Sequence, residues 1–489
     1  MRSRHAIRRL EVALNGSNRH VHALASQNTA QRHAHPPLDT TAPPTHAGST
    51  FPSQPKSPIS RPSKADPFAL VSTELTHLRT SMLTLMGSAH PGLTQIAEYY
   101  FLQPSKQLRP LLVLLFSRAT NGLGQGWQQK QWEAECQAAN GTNSGLDAPL
   151  TRADVLNDWN PNIPEHTASF SSVFNMLPAR APSLAMPFES GGTSPFVPHI
   201  TNSILPTQIR LAQIAEMIHV ASLLHDDVID TSPLRRGVPS GPASFGNKLT
   251  VLGGDFLLGR ASAALSRLGE SEVVELVASI IANLVEGEVM QVREVHAPET
   301  LVSGGNWATN AGQASMTEKG RMSQERWNIY LKKTYLKTAS LIAKTVRASV
   351  VLGGTREGEL WKEVAYAYGR NIGIAFQLID DMLDFAVSDA SFGKPSGGAD
   401  LRLGLATAPT LYAWEEFEEM GPLIERRFEG EGDVEMARQI VASSKGVART
   451  RELAELYARK AREVLDHLPE SEAKEALQEM TEIVVKRKH

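Results

Sequence analysis

Apolar residues in this chain recur mostly three and four positions apart, the spacing that lines one face of an α-helix. The pattern predicts a helix from about Phe68 to Leu85, another starting near Leu93 and a third following Arg109-Pro110. Further helices are predicted over 209–230, 246–268, 271–293, 325–352, 356–386, 406–419, 436–443 and 450–465. Few segments alternate with the period of a strand, so the expected class is all-α: one helical bundle around a central cavity. The periodicity lapses from Asn121 to Pro206, a stretch rich in Gly, Asn, Gln, Ser and Pro that reads as a functional loop or disorder.

The first residues differ from the rest. Arg2, Arg4, Arg8, Arg9 and Arg19 face a single acid, Glu11, among many serines, alanines and histidines. That composition predicts a mitochondrial transit peptide over 1–45, followed by a Pro/Ser/Thr-rich flexible spacer at 46–66, with the folded part starting near Pro67. A merely disordered basic tail is the plainer alternative.

Composition narrows the picture a little. The chain has 489 residues, 41% of them hydrophobic, enough for a large core. A net charge of -3 gives no hint of nucleic-acid binding. The single cysteine, Cys136, excludes an internal disulfide and fits a reducing compartment. The most apolar run, Ala339 to Gly353, is interrupted by Lys344 and Arg347, so no membrane-spanning helix is expected.

The chemistry lies in two clusters of one spelling, Asp226-Asp227-Val228-Ile229-Asp230 and Asp380-Asp381-Met382-Leu383-Asp384. Carboxylates at i and i+4 share a helix face. A lone acidic triplet is usually a solvated surface. Here the flanks are apolar: Ile209, Leu211, Ile214, Ile218 and Leu224 about the first, Ile372, Ile374, Phe376, Leu378 and Ile379 about the second. Carboxylates in apolar helices are costly to bury unless paired or bound to metal. Two such faces turned toward each other would form a cage of hard oxygens suited to Mg2+, which prefers one or two protein carboxylates plus substrate phosphates. Cations near the clusters, Arg235 and Arg236, with Lys106, Arg109, Lys337 and Lys394, point to a phosphate-rich substrate.

Those two clusters, with the stretch Met217 to Asp227, the stretch Gly373 to Asp381, Lys337-Thr338-Ala339-Ser340-Leu341 and Gly404 to Pro409, resemble the motifs of the trans-isoprenyl (polyprenyl) diphosphate synthases, in particular the mitochondrial long-chain members (hexaprenyl, solanesyl or decaprenyl type) that make the ubiquinone side chain. The resemblance covers most of Pro67 to His489 and turns the aperiodic stretch at about 121–206, and a second at 296–322, into insertions. It implies the isoprenoid-synthase helical bundle, and a reaction in which isopentenyl diphosphate is condensed repeatedly onto an allylic diphosphate primer, farnesyl or geranylgeranyl diphosphate. It implies Mg2+, three ions with substrate bound, held by Asp226, Asp227 and Asp230 on one wall and Asp380 and Asp384 on the other, with Asp381 in support. Lys106, Arg109, His219 and Arg236 would bind isopentenyl diphosphate; Arg235, Lys337 and Lys394 would bind the allylic diphosphate. Thr338 and Gln377 would line the path of the cation. Small residues at Ala221 and Ser222 leave a product tunnel open, implying a chain of six to ten isoprene units. A homodimer or hetero-oligomer in the mitochondrial matrix, with peripheral contact to the inner membrane, completes the expectation.

Two positions depart from the family pattern: Ser105 stands where glycine is usual, and Leu405 where many relatives carry lysine. A terpenoid cyclase would replace the second aspartate cluster, and an HD-type phosphohydrolase would need further metal-binding histidines. A catalytically silent regulatory subunit would have lost carboxylates. A shorter-chain geranylgeranyl synthase is the remaining alternative.

Overall fold

The computed structural model describes residues 65–86, 90–103, 107–139, 146, 204–295, 323–386 and 398–487. The expected transit peptide, most of the spacer, the expected insertion at 296–322, Lys106 and Lys394 lie outside the described residues.

The architecture is helical, as the spacing of apolar positions predicts. The chain runs through α1 (Pro67–Leu70), α2 (Ser72–Met86), α3 (Pro91–Leu102), α4 (Leu108–Thr120) and α5 (Trp127–Ala139) to α6 (Pro206–Ile229). A two-stranded hairpin follows, β1 (Leu234–Arg235) paired antiparallel with β2 (Val238–Pro239). Next come α7 (Gly241–Phe245), α8 (Asn247–Ser266), α9 (Ser271–Val295), α10 (Gln324–Thr334), a π-helical turn (Tyr335–Ala339), α11 (Ser340–Leu352) and α12 (Trp361–Ala386). The last elements are α13 (Ala399–Arg402), α14 (Ala408–Glu416), α15 (Met420–Glu425), α16 (Asp433–Ser443), α17 (Gly446–Val464) and α18 (Glu472–Lys486). No helix among the described residues is long and apolar enough to cross a membrane.

Helix α6 is the core helix of the first aspartate cluster. Pro206 occupies its first turn, where a missing N–H costs nothing, and the Gln208 carboxamide accepts from the Leu205 N–H at 2.9 Å. Leu211, Ile214, Ile218 and Ala221 recur at three- and four-residue steps and are fully buried. Helix α12 carries the second cluster and packs on α11. Gly369 and Gly373, one turn apart, let the two backbones touch. A Cβ on Gly373 would lie 2.7 Å from the Ala339 Cα, and one on Gly369 2.7 Å from the Ala343 Cα. Gly373→Ala therefore overpacks a backbone contact with no flexible atom to yield. It is expected to cost about 1–3 kcal/mol, read as a lowered midpoint in urea unfolding.

Three features differ from the periodicity reading. Residues 121–139 are part of the folded body and not an aperiodic loop. The buried Asn121 carboxamide exchanges hydrogen bonds with Gln208 of α6 at 2.9 and 2.8 Å. The Gly126 N–H donates to the Gly354 carbonyl at 2.9 Å, and Trp127 at the head of α5 is buried. The glycines that read as loop signals are there for close backbone approach. The expected helix 325–352 is interrupted by the π turn. Finally, α18 closes the bundle in a region for which no helix was expected; it is anchored by the Tyr368 hydroxyl donating to the Leu477 carbonyl at 2.8 Å.

Candidate active site

The last turn of α6 points its aspartates in different directions. Asp227 is wholly buried. Its Oδ2 accepts from the Tyr100 hydroxyl at 2.6 Å and its Oδ1 from Arg235 Nε at 2.7 Å, with Arg235 Nη2 at 2.6 Å. Tyr100 in turn accepts from the Gly241 N–H at 2.7 Å. Arg235 reaches Asp227 because the hairpin turns tightly at Arg236 and Gly237, which have φ of 52° and 80°. Both Asp227 oxygens are thus engaged within the protein, which braces this end of α6.

Asp226 and Asp230 are the outward pair. Burial pushes the Asp226 carboxyl up to about 7; Glu288 and Asp230 add to the shift, against Lys337 and Arg235. Asp230 is raised in the same way, chiefly by burial. These carboxylates are crowded, and a positive charge between them would relieve the crowding.

The second cluster repeats the division. Asp381 is buried; its Oδ2 accepts from the Tyr330 hydroxyl at 2.5 Å and its Oδ1 from Gln377 Nε2 at 2.8 Å. Burial raises it to about 6. Asp384 accepts from the backbone N–H groups of Ala399 and Asp400 at 3.0 and 3.3 Å, so it caps the short α13. Asp400, beside it, is raised to about 8 by burial and by Asp381 and Asp384. Asp380 pairs with the guanidinium of Arg487, which also donates to the Phe376 carbonyl at 2.7 Å and lies 3.8 Å over the Phe376 ring.

A polar path joins the two clusters. Asp230 Oδ1 accepts from Gln291 Nε2 at 3.2 Å, and Gln291 Oε1 accepts from Lys337 Nζ at 2.9 Å. Lys337 also pairs with Glu288. The next residue, Thr338, donates to Gln377 Oε1 at 2.8 Å, and Gln377 continues to Asp381. Lys337 and Thr338 both sit in the π turn, a rare geometry found often at functional sites. The two acidic faces are thus connected through a lysine, a threonine and two glutamines.

A small cavity is lined by Tyr100, Gln103, Gln107, Glu216, His219 and Arg236. Arg109 adjoins these groups. Burial lowers its pKa, with Arg236 adding to the shift and Glu216 and Asp380 opposing it, and its Nε is buried without a hydrogen-bond partner among the described residues. His219 is kept neutral by burial and by Arg109, Arg236 and Arg235. Cations this close together, one with an orphaned buried donor, suit a multiply charged anion. Of the tunnel positions, Ala221 is fully buried, and Ser222 is half-buried with its hydroxyl donating to the His219 carbonyl at 2.8 Å.

A family model described as polyprenyl synthetase matches residues 195–441, which contain both aspartate clusters and the lysine-threonine pair between them. The chain belongs to the polyprenyl synthetase family. It is a prenyltransferase. Among its relatives, a Yarrowia lipolytica protein named a probable mitochondrial hexaprenyl pyrophosphate synthase is 44% identical over 421 residues, 85% of this chain and 83% of that protein. The mitochondrial hexaprenyl pyrophosphate synthase of Saccharomyces cerevisiae is 40% identical over 458 residues, 86% of this chain and 91% of that one. A polyprenyl synthase from Caulobacter crescentus, solved in complex with calcium and isoprenyl diphosphate, superposes with a TM-score of 0.59 at 25% identity, covering 88% of this chain and all (100%) of that one. The all-α polyprenyl synthetase fold is therefore shared.

Among the described residues, no three His, Cys, Asp or Glu side chains are gathered closely enough to form a metal cage unaided. The donor set still fits a hard divalent ion that takes most of its ligands from phosphate and water: the outward groups, Asp226, Asp230 and Asp380, are all oxygen donors. Sequence reasoning missed Tyr100, Tyr330, Glu216, Glu288, Gln291, Asp400 and Arg487. The one local signal was Glu288 and Gln291, polar residues three apart on an otherwise apolar helix face.

Proposed function

We propose that this prenyltransferase is a long-chain all-trans-polyprenyl diphosphate synthase making the ubiquinone side-chain precursor in the mitochondrial matrix, by repeated condensation of isopentenyl diphosphate onto a farnesyl or geranylgeranyl primer. The two adjacent residues of the π turn carry the reading, because Lys337 is tied through Gln291 to Asp230 of the first cluster and Thr338 through Gln377 to Asp381 of the second. Asp226 and Asp230 on one wall and Asp380 on the other would hold Mg2+, three ions with substrate bound, with Asp227, Asp381 and Asp384 bracing the ligands. Mg2+ supplies Lewis-acid neutralisation of the leaving diphosphate. Arg235, Lys337 and Lys394 share the charge that develops as the allylic carbon–oxygen bond breaks. The Thr338 hydroxyl and Gln377 carboxamide flank the allylic cation. Arg109, Arg236 and Lys106, with the neutral imidazole of His219, hold isopentenyl diphosphate so that its double bond attacks that cation. The released diphosphate takes the proton and an alkene is restored.

The names of the relatives and the intact carboxylates favour an active long-chain synthase over a silent subunit, and the small Ala221 and Ser222 disfavour early termination. Radiolabelled isopentenyl diphosphate, farnesyl diphosphate and Mg2+ are expected to yield products of six to ten units on reversed-phase separation. No extension, or a product stopping at geranylgeranyl, would sink the reading.

A second copy of this chain is the proposed partner. Val274, Ala278, Ala282, Val285 and Val289 form an exposed apolar stripe along one face of α9, of the kind that subunit contact buries. Val285→Glu with Val289→Glu is expected to halve the mass measured by light scattering; an unchanged mass removes this face as the interface. Product release to lipid implies peripheral contact with the inner membrane.

A further inference from the structure

Helix α9 contributes an arrangement that the roles above leave unused. Gly287 lies where α9 meets the π turn: a Cβ there would stand 2.6 Å from Lys337 Cγ and 3.1 Å from the Lys337 amide nitrogen. The bare backbone lets the lysine stem cross the helix. Its ammonium then meets Glu288 and, one turn on, Gln291, both nine-tenths buried. Gln291 is the more informative of the two. A carboxamide is one of the few neutral side chains that can accept from an ammonium with one end and donate to a carboxylate with the other. Only one orientation of the Gln291 amide does both, and the structure has it: Oε1 toward Lys337 Nζ at 2.9 Å and Nε2 toward Asp230 Oδ1 at 3.2 Å. A glutamate here would repel Asp230, a lysine would repel Lys337, and an apolar residue would leave two buried charges without this link.

We propose that Gln291 is a positioning residue for the allylic diphosphate, fixing the separation and direction of Lys337 and Asp230 so that both engage one diphosphate group. Glu288 supports it as the counter-ion that keeps the ammonium in the site before substrate arrives. The proposal rests on the reading that Lys337 and Asp230 serve the allylic diphosphate. It adds that neither finds its place unaided, because each approaches from a different element, the π turn and the end of α6.

The test uses the full-length enzyme with Mg2+, farnesyl diphosphate and isopentenyl diphosphate. Gln291→Met keeps the volume and removes both hydrogen bonds. Bonds to charged groups of this kind are worth a factor of about 10 to 100, and that loss is expected in kcat/KM for the allylic substrate. KM for isopentenyl diphosphate, bound by a different set of cations, is expected to stay within about two-fold, since its contacts are untouched. Affinity for an unreactive allylic thiolodiphosphate, measured by calorimetry, should fall in parallel. Gln291→Glu, which keeps the acceptor and repels Asp230, should weaken that binding too. In a Lys337→Met background the further change Gln291→Met should cost little, because the two act as a unit. Unchanged allylic binding in Gln291→Met overturns the proposal. So does an equal loss for both substrates with a lowered unfolding midpoint, the mark of a purely structural residue, and so does full additivity with Lys337→Met. A wild-type enzyme that makes no polyprenyl product would overturn the underlying reading, and the proposal with it.

Discussion

Asp226→Ala and Asp380→Ala are each expected to reduce kcat by about 100- to 1,000-fold, the scale set by removing one preorganised charge-stabilising group from a reaction centre. Both should leave the unfolding midpoint nearly unchanged. Asp226 is crowded by Glu288 and Asp230, and deleting it removes a buried charge that the fold does not need. The Asp380 side chain is 44% exposed, and Arg487 keeps its bond to the Phe376 carbonyl and its stacking on the Phe376 ring when the carboxylate is removed. The neighbouring aspartates should behave in the opposite sense. Asp227→Ala strands the Arg235 guanidinium and the Tyr100 hydroxyl, and breaking a buried pair of this kind costs about 3–5 kcal/mol. Steady-state kinetics with urea unfolding separates the two classes. Full turnover in Asp226→Ala and Asp380→Ala would remove the acidic walls from the mechanism.

A phenylalanine at Ala221 or Ser222 is expected to shorten the product to below the six-to-ten-unit range while condensation continues. Ser222 lies one turn before Asp226 and Ala221 beside it, so a ring at either position projects from the helix that bears the outward carboxylates. Ala221 is fully buried, and a ring there also strains the core. Ser222 is half-buried and keeps only a hydroxyl bond to the His219 carbonyl, so Ser222→Phe is the gentler probe. Chromatography of the dephosphorylated products reads the chain length. Active variants with an unchanged product would mean that the growing chain runs elsewhere.

Much of this was legible along the chain because its signals are local. The aspartates at i, i+1 and i+4 in apolar helices needed only helical periodicity to be seen as carboxylates with a purpose. What was hidden is what holds them. Tyr100 lies 127 residues from Asp227, and Arg487 lies 107 from Asp380; no spacing rule joins such pairs. Which aspartate is engaged inside the protein is likewise decided by those distant partners, so the three acids of each cluster look equivalent in sequence. Helix α5 escaped because Gln128, Gln129, Lys130, Gln131 and Glu133 dilute its apolar face, and the glycines before it mimic a loop.

The inward aspartates have a consequence for the catalytic cycle. Asp227, with a tyrosine and an arginine, and Asp381, with a tyrosine and a glutamine, tie their helices to neighbouring elements through hydrogen bonds within the protein. The braces that hold each helix end are therefore separate from the outward carboxylates, so the scaffold can stay fixed while the outward groups exchange what they bind from one round of elongation to the next.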